Sequence, residues 1–263
     1  FNKRMLAKRG LVADYFHFTT NPVVVSHACI SGLVALITGM RLLQSGRFDH
    51  AVIAGADMIT QFVLSGFRSF HAISDAPCKP FDARRNGITL GEAAATIILS
   101  VAKPNAKESI QLSGGAVSND ANHISGPSRT GEELHQAIEA ALLEAGIEKS
   151  AIDFISAHGT ATIYNDEMEA KAITLSGLQQ VPVNSLKGYY GHTLGAAGLI
   201  ETVASVHSLK SNTILPTPGF EVPGTTQPLN ISQVLQTGVY SNCLKTASGF
   251  GGCNAAIVLQ KDV

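Results

Sequence analysis

Apolar residues in this chain alternate between a helical spacing and short continuous runs, and the changes from one to the other mark a series of elements. Residues 28–45 place Leu33, Leu36, Ile37, Met40 and Leu43 at a period near 3.6, which predicts a helix stopped by Gly46. Residues 22–25 ahead of it and residues 49–56 behind it read as strands. This strand-helix-strand order predicts a parallel pair with a right-handed crossover. Residues 1–20 mix basic and apolar positions and predict a helix leading into a short loop. Residues 76–91 form a loop rich in proline, glycine and charge, and residues 92–101 and 110–117 are strand-like. An amphipathic helix is expected at 132–145, stopped by Gly146, then a strand at 152–157, a helix at 166–176 and a strand at 181–185. A helix rich in small residues at 196–209 and strands at 237–246 and 255–260 complete the pattern. The alternation predicts an α/β fold with helices packed on a sheet.

Composition narrows the function classes. In 263 residues, 45% are apolar and 15% charged, so the chain can bury a sizeable core and is not a disordered segment. A net charge of −1 gives no general attraction to nucleic acid or to an anionic membrane surface. No apolar run reaches spanning length, and no signal peptide is visible. Cys29, Cys78, Cys243 and Cys253 lie far apart without paired metal spacing, which predicts free thiols, no metal site and a reducing cytoplasm. The chain begins at Phe1, so a missing or processed start is expected.

Candidate chemistry starts at Cys29, which stands where a strand ends and a long helix begins. Unpaired N–H groups and the positive end of the helix dipole favour a thiolate there. The competing reading is a buried apolar cysteine. Three later segments share a strand-then-loop layout: SAHGTAT from Ser156, NSLKGYYGHTLGAAG from Asn184, and SGFGGCN from Ser248. Ligands of α/β sheets bind beyond strand carboxyl ends, so Cys29, His158, Lys187, His192 and Phe250 are expected in one cleft.

In order, the motifs are HACISG, KPFDARRNGITLGEAA, SNDANHISGP, HGTAT with Asp166, LKGYYGHTLGAAG and SGFGGCN. From about Val24 to the C-terminus they resemble the elongating β-ketoacyl-acyl-carrier-protein synthases of the thiolase-like condensing-enzyme superfamily. The resemblance implies a duplicated α-β-α-β-α layered fold whose N-terminal half is incomplete here, with residues 1–102 as the remainder of that half and 103–263 as the C-terminal half. It implies Cys29 as the acyl-accepting nucleophile, His158 and His192 as catalytic histidines, and Lys187 as their supporting lysine. Phe250 would be the gate and an oxyanion donor, Glu201 a buried acidic partner, Asp166 a brace for the HGTAT loop, and Thr160 and Thr162 contacts for pantetheine. The implied reaction is a decarboxylative condensation with malonyl-acyl-carrier protein that adds two carbons to a fatty-acid or polyketide chain. No cofactor is implied, because substrates arrive on the phosphopantetheine of a carrier protein. That carrier protein and a homodimeric or ketosynthase-like heterodimeric partner are the implied partners.

Ile30 after the nucleophile, Tyr189 and Tyr190 in the lysine-histidine loop, and Asn86 in the loop after the PFD motif depart from common members. They suggest a specialised polyketide or polyene branch. Three other readings compete: a thiolase with Cys253 as its second cysteine, a non-catalytic chain-length-factor-like subunit, and a cysteine-histidine hydrolase of another fold.

Overall fold

The computed structural model describes residues 12–101 and 109–261. Most of the helix expected over 1–20 and the boundary expected at 102/103 fall outside the described residues; residues 12–15 form one helical turn. The elements that follow are α1 (Ser31–Gln44), β1 (His50–Asp57), α2 (Gln61–Ser69), β2 (Ala93–Ser100), β3 (Ile110–Asn119) and α3 (Glu132–Ala145). Next come β4 (Phe154–Ser156), α4 (Ile163–Leu175), β5 (Val183–Asn184), the single turn α5 (Lys187–Tyr190), α6 (Ala197–Ser211), β6 (Thr213–Ile214), β7 (Gln236–Thr237), β8 (Asn242–Gly249) and β9 (Cys253–Lys261).

The central sheet runs β3-β9-β8-β4-β5, antiparallel through β3, β9 and β8 and parallel from β8 to β5. Its central strands are buried on both faces, and side-chain parity divides two cores. Ala256 and Val258 of β9 face Leu134, Ile138 and Leu142 of α3 and Met168 and Ile173 of α4. Ala255, Ile257 and Leu259 face Leu33, Leu36 and Ile37 of α1 and Leu199 and Leu209 of α6. Beyond α1 and α6 lies the pair β1-β2, whose inner side chains Ile53, Ile97 and Leu99 join that second core. Among the described residues the layers are therefore α, β, α and β, four of the five expected. On the outer face of the small sheet Val52 and Ile98 are exposed.

Several expectations are corrected. The strand at 22–25 forms no ladder; only an isolated bridge between His27 and Cys29 appears there, because an extended run becomes a strand only beside a partner. The parallel strand-helix-strand unit is likewise absent: β1 pairs antiparallel with β2 from His50–Ser100 to Asp57–Ala93. Residues 237–241 are not part of β8, which starts at Asn242. The helix α2 was not anticipated; Thr60 caps it by accepting from the Val63 N–H.

One close approach fixes the site. A Cβ on Gly32 would stand 2.7 Å from the Leu199 backbone nitrogen, so α1 and α6 meet backbone to backbone where Cys29 and the His192 loop begin.

Candidate active site

Cys29 sits on a tight elbow before α1. Ala28 adopts φ +46°, unusual for a residue with a Cβ. The Ser31 hydroxyl accepts from the His27 N–H and donates to the Ala28 carbonyl, each at 2.7 Å, and so locks the turn. The expected resting thiolate is not favoured. Burial pushes the thiol up to about 11, and the Lys187 charge and the N–H groups of Phe250 and of Cys29 itself pull it down by less. Asp57 adds a smaller upward push. Lys187 and these two N–H groups therefore lessen a burial penalty without overcoming it. Both N–H groups predicted as oxyanion donors act on the Cys29 sulfur.

His158 leaves the end of β4, and its loop is held by two carboxylates of α4. Glu169 accepts from the N–H groups of His158 (2.7 Å) and Gly159 (2.8 Å). Asp166 accepts from Thr160 N–H (2.8 Å) and from Phe81 N–H (2.7 Å), so the expected brace also reaches the PFD loop. That loop grips the second histidine as well: His192 N–H donates to the Thr89 carbonyl at 2.7 Å, and Gly91 N–H donates to the His192 carbonyl at 3.0 Å.

The two imidazoles meet edge to face with centroids 5.1 Å apart. Lys187 Nζ lies 3.2 Å from Nδ1 of His158. An ammonium only donates, so this Nδ1 accepts and the neutral ring carries its proton on Nε2. Both rings are held well below the ordinary histidine value, first by burial and then by the positive charge of Lys187; Lys245 adds to this at each ring, and His192 adds to it at His158. Nδ1 of His192 is buried without a partner.

Behind the rings, Glu201 receives Lys187 at 2.6 Å on Oε1 and Lys245 at 2.8 Å on Oε2. Lys245 and Glu169 were missed at the sequence level. A lysine inside the apolar run of β8 was a signal for the first. The three-residue spacing of Asp166 and Glu169, one face of a helix, was a signal for the second.

A cavity of about 410 Å³ is lined by Cys29, His158, His192, Thr160, Thr162 and Phe250, among others. The predicted nucleophile, both histidines, the gate and both threonines thus share one space, while Lys187, Glu201 and Asp166 stand behind its wall. Phe67 and Phe70 of α2 pack on the Phe250 ring, at centroid distances of 5.4 and 5.2 Å. Cys253 belongs to the apolar core beside α1 and takes a hydrogen bond from Asn119 Nδ2 at 3.4 Å. The sulfur that would complete a thiolase site therefore does not line the cavity. Such a chamber can hold a thioester against a sulfur and two amide N–H groups, with two neutral imidazoles opposite.

Residues 4–105 match the family model "Beta-ketoacyl synthase, N-terminal domain" and residues 110–221 the model "Beta-ketoacyl synthase, C-terminal domain". A protein of Schizosaccharomyces pombe named as a mitochondrial 3-oxoacyl-acyl-carrier-protein synthase is 29% identical over 96% of this chain and 64% of its own length. One of Streptomyces halstedii named as polyketide beta-ketoacyl synthase 1 is 33% identical over 94% of this chain and 62% of its own. The chain thus spans a little under two thirds of these relatives. Among solved structures, a type II polyketide ketosynthase with its acyl-carrier protein and bound hexaketide superimposes with TM-score 0.91, at 26% identity over 97% of this chain and 66% of that one. The ketosynthase ApeO with its chain length factor ApeC from Xenorhabdus doucetiae gives 0.85, at 32% identity over 97% of this chain and 63% of that one.

Proposed function

The chain belongs to the β-ketoacyl synthase family, and on that footing we propose that it condenses an acyl group held on Cys29 with a malonyl thioester, adding two carbons to a growing polyketide chain. The observation that carries this reading is the single cavity shared by Cys29, His158 and His192.

In the first half-reaction the Cys29 sulfur bonds to the acyl carbonyl carbon and the pantetheine C–S bond breaks. The thiol proton ends on the departing pantetheine. The N–H groups of Cys29 and Phe250 stabilise the tetrahedral oxyanion. In the second, malonyl thioester loses carbon dioxide and leaves an enolate. The neutral His158 donates from Nε2 to the enolate oxygen, and His192 stands opposite as the second donor. The enolate carbon then attacks the acyl carbonyl, and Cys29 leaves as a thiolate that takes a proton from solvent.

Lys187 acts through His158 and Glu201 and is not the base. Thr160 and Thr162, whose hydroxyls lie 2.8 Å apart on the cavity wall, meet the pantetheine amides. Phe250, flanked by Phe67 and Phe70, gates the sulfur. A carrier protein delivers both substrates, and no other cofactor takes part. The likeness to a ketosynthase with its chain length factor supports a ketosynthase-like partner chain. The retained sulfur favours the catalytic over the chain-length-factor-like role. The Streptomyces relatives favour a polyketide product over a fatty acid. No helix among the described residues is long and apolar enough to cross a membrane.

Intact-mass measurement after incubation with acyl-carrier substrates tests the reading. A covalent acyl adduct on the wild type and none on Cys29→Ala is expected. Equal masses for both, or no carbon dioxide release from malonyl-carrier protein, overturn it.

A further inference from the structure

Lys245 is fully buried in β8, one layer behind the two imidazoles, and the condensation scheme gives it no task. Its Nζ pairs with Oε2 of Glu201 at 2.8 Å and meets the carbonyls of Ser156 at 3.1 Å, Ala157 at 3.4 Å and Thr246 at 2.5 Å. The amine is surrounded by four oxygen acceptors, which suits the donor-only ammonium, whereas a neutral amine would turn its lone pair onto an oxygen. The geometry is that of a charged lysine.

We propose that Lys245 is a second positioning cation of this site: it ties Glu201 to the strand that carries His158, and its charge keeps both imidazoles neutral under mildly acidic conditions.

The electrostatic balance shows why a second cation matters. Lys187 of α5 and Lys245 of β8 share the single carboxylate of Glu201 on α6. Glu169 of α4 lies on the far side, bonded to the Thr246 hydroxyl at 2.6 Å and to the His158 N–H. Two cations thus face two carboxylates. Around the rings themselves stand Lys187, Lys245, the partner imidazole and the thiol of Cys29, with Glu169 at the main chain of His158. Without Lys245 the cluster carries one excess negative charge beside two imidazoles, and each ring takes up a proton at higher pH. An imidazolium at His158 would also lose the Nδ1 lone pair that Lys187 uses. Burial holds the Lys245 ammonium below the ordinary lysine value and Lys187 adds to this, while Glu201 and Glu169 offset part of it.

The catalytic consequence rests on the condensation reading; the titration of the rings does not. The test is NMR of histidine-labelled wild type and Lys245→Met across about pH 4 to 8. The expected result is that the midpoints of His158 and His192 rise by about one pH unit in the variant. The acid limb of malonyl-thioester decarboxylation should move up by the same amount, with the alkaline plateau kept. Unchanged midpoints, or a rate loss equal at every pH, overturn the proposal. If Lys245→Met does not fold, the Nζ nitrogen shift of Lys245 in wild type decides: an ammonium at neutral pH upholds the proposal and a free amine sinks it. Shifted midpoints without any decarboxylation would uphold the role of Lys245 and defeat the condensation reading alone.

Discussion

Lys187 donates to the ring nitrogen Nδ1 of His158 across 3.2 Å, and this contact fixes which proton the histidine can offer. The same ammonium holds Glu201, so it cannot swing toward the cavity without abandoning a buried carboxylate. Breaking a buried pair by removing one partner costs about 3–5 kcal/mol, which keeps the lysine in place and the imidazole in one tautomer. The lysine thus shapes the chemistry without touching the cavity.

The Cys29 thiol, raised to about 11, predicts slow alkylation at neutral pH. Iodoacetamide modification should speed up about tenfold per pH unit from neutral upward, because the thiolate is the nucleophile. A rate that levels off near neutrality would mean that Lys187 and the N–H groups of Phe250 and Cys29 win over burial. Cys29→Ser should show no labelling at this position.

The histidines predict acid sensitivity. Both are held well below 6.5 in the fold and return toward it on unfolding. The unfolded chain therefore binds more protons below about 6.5, and stability falls as pH drops through that value and is level above it. Asp166, pushed up to about 6 by burial, acts in the opposite sense: its folded form protonates more readily, so acid returns some stability below about 6. His158→Phe separates the two, since it removes one histidine and keeps Asp166. Thermal melts from about pH 7.5 to 5 should show a smaller acid loss in the variant than in wild type; equal losses would contradict the assignment.

Glu169→Gln should loosen the His158 loop. The carboxylate takes two backbone N–H groups and the Thr246 hydroxyl, and an amide turns one donor against a donor. A stability loss of about 1–3 kcal/mol is expected by urea unfolding. A fall in turnover should exceed any change in Cys29 alkylation, because the sulfur sits on another element.

Gly32→Ala tests the contact between α1 and α6. The new methyl would press on the Leu199 backbone nitrogen at 2.7 Å, where no flexible side chain can yield. A loss of about 1–3 kcal/mol is expected from overpacking. Unchanged stability would show that the two helices can part freely.

The sequence alone determined most of the longer elements from residue 28 onward, because helical spacing and buried strand runs are local signals; α2 and the short strand β6 were not legible in it. It also singled out Cys29 at a helix start and His158, His192 and Phe250 on loops beyond strands, and these four share the cavity. Other features were decided only in three dimensions. The segment at 22–25 has strand-like residues but no partner to pair with, and β1 found β2 antiparallel across some forty residues of chain. The protonation of Cys29 turned on how much water its neighbours exclude, which no spacing records. Lys245 and Glu169 lie 76 positions apart, yet both belong to the charge cluster behind His158. Local pattern fixes which groups point off a strand; the packing of distant strands fixes which charges they meet, because electrostatic strength depends on burial and distance and not on chain order.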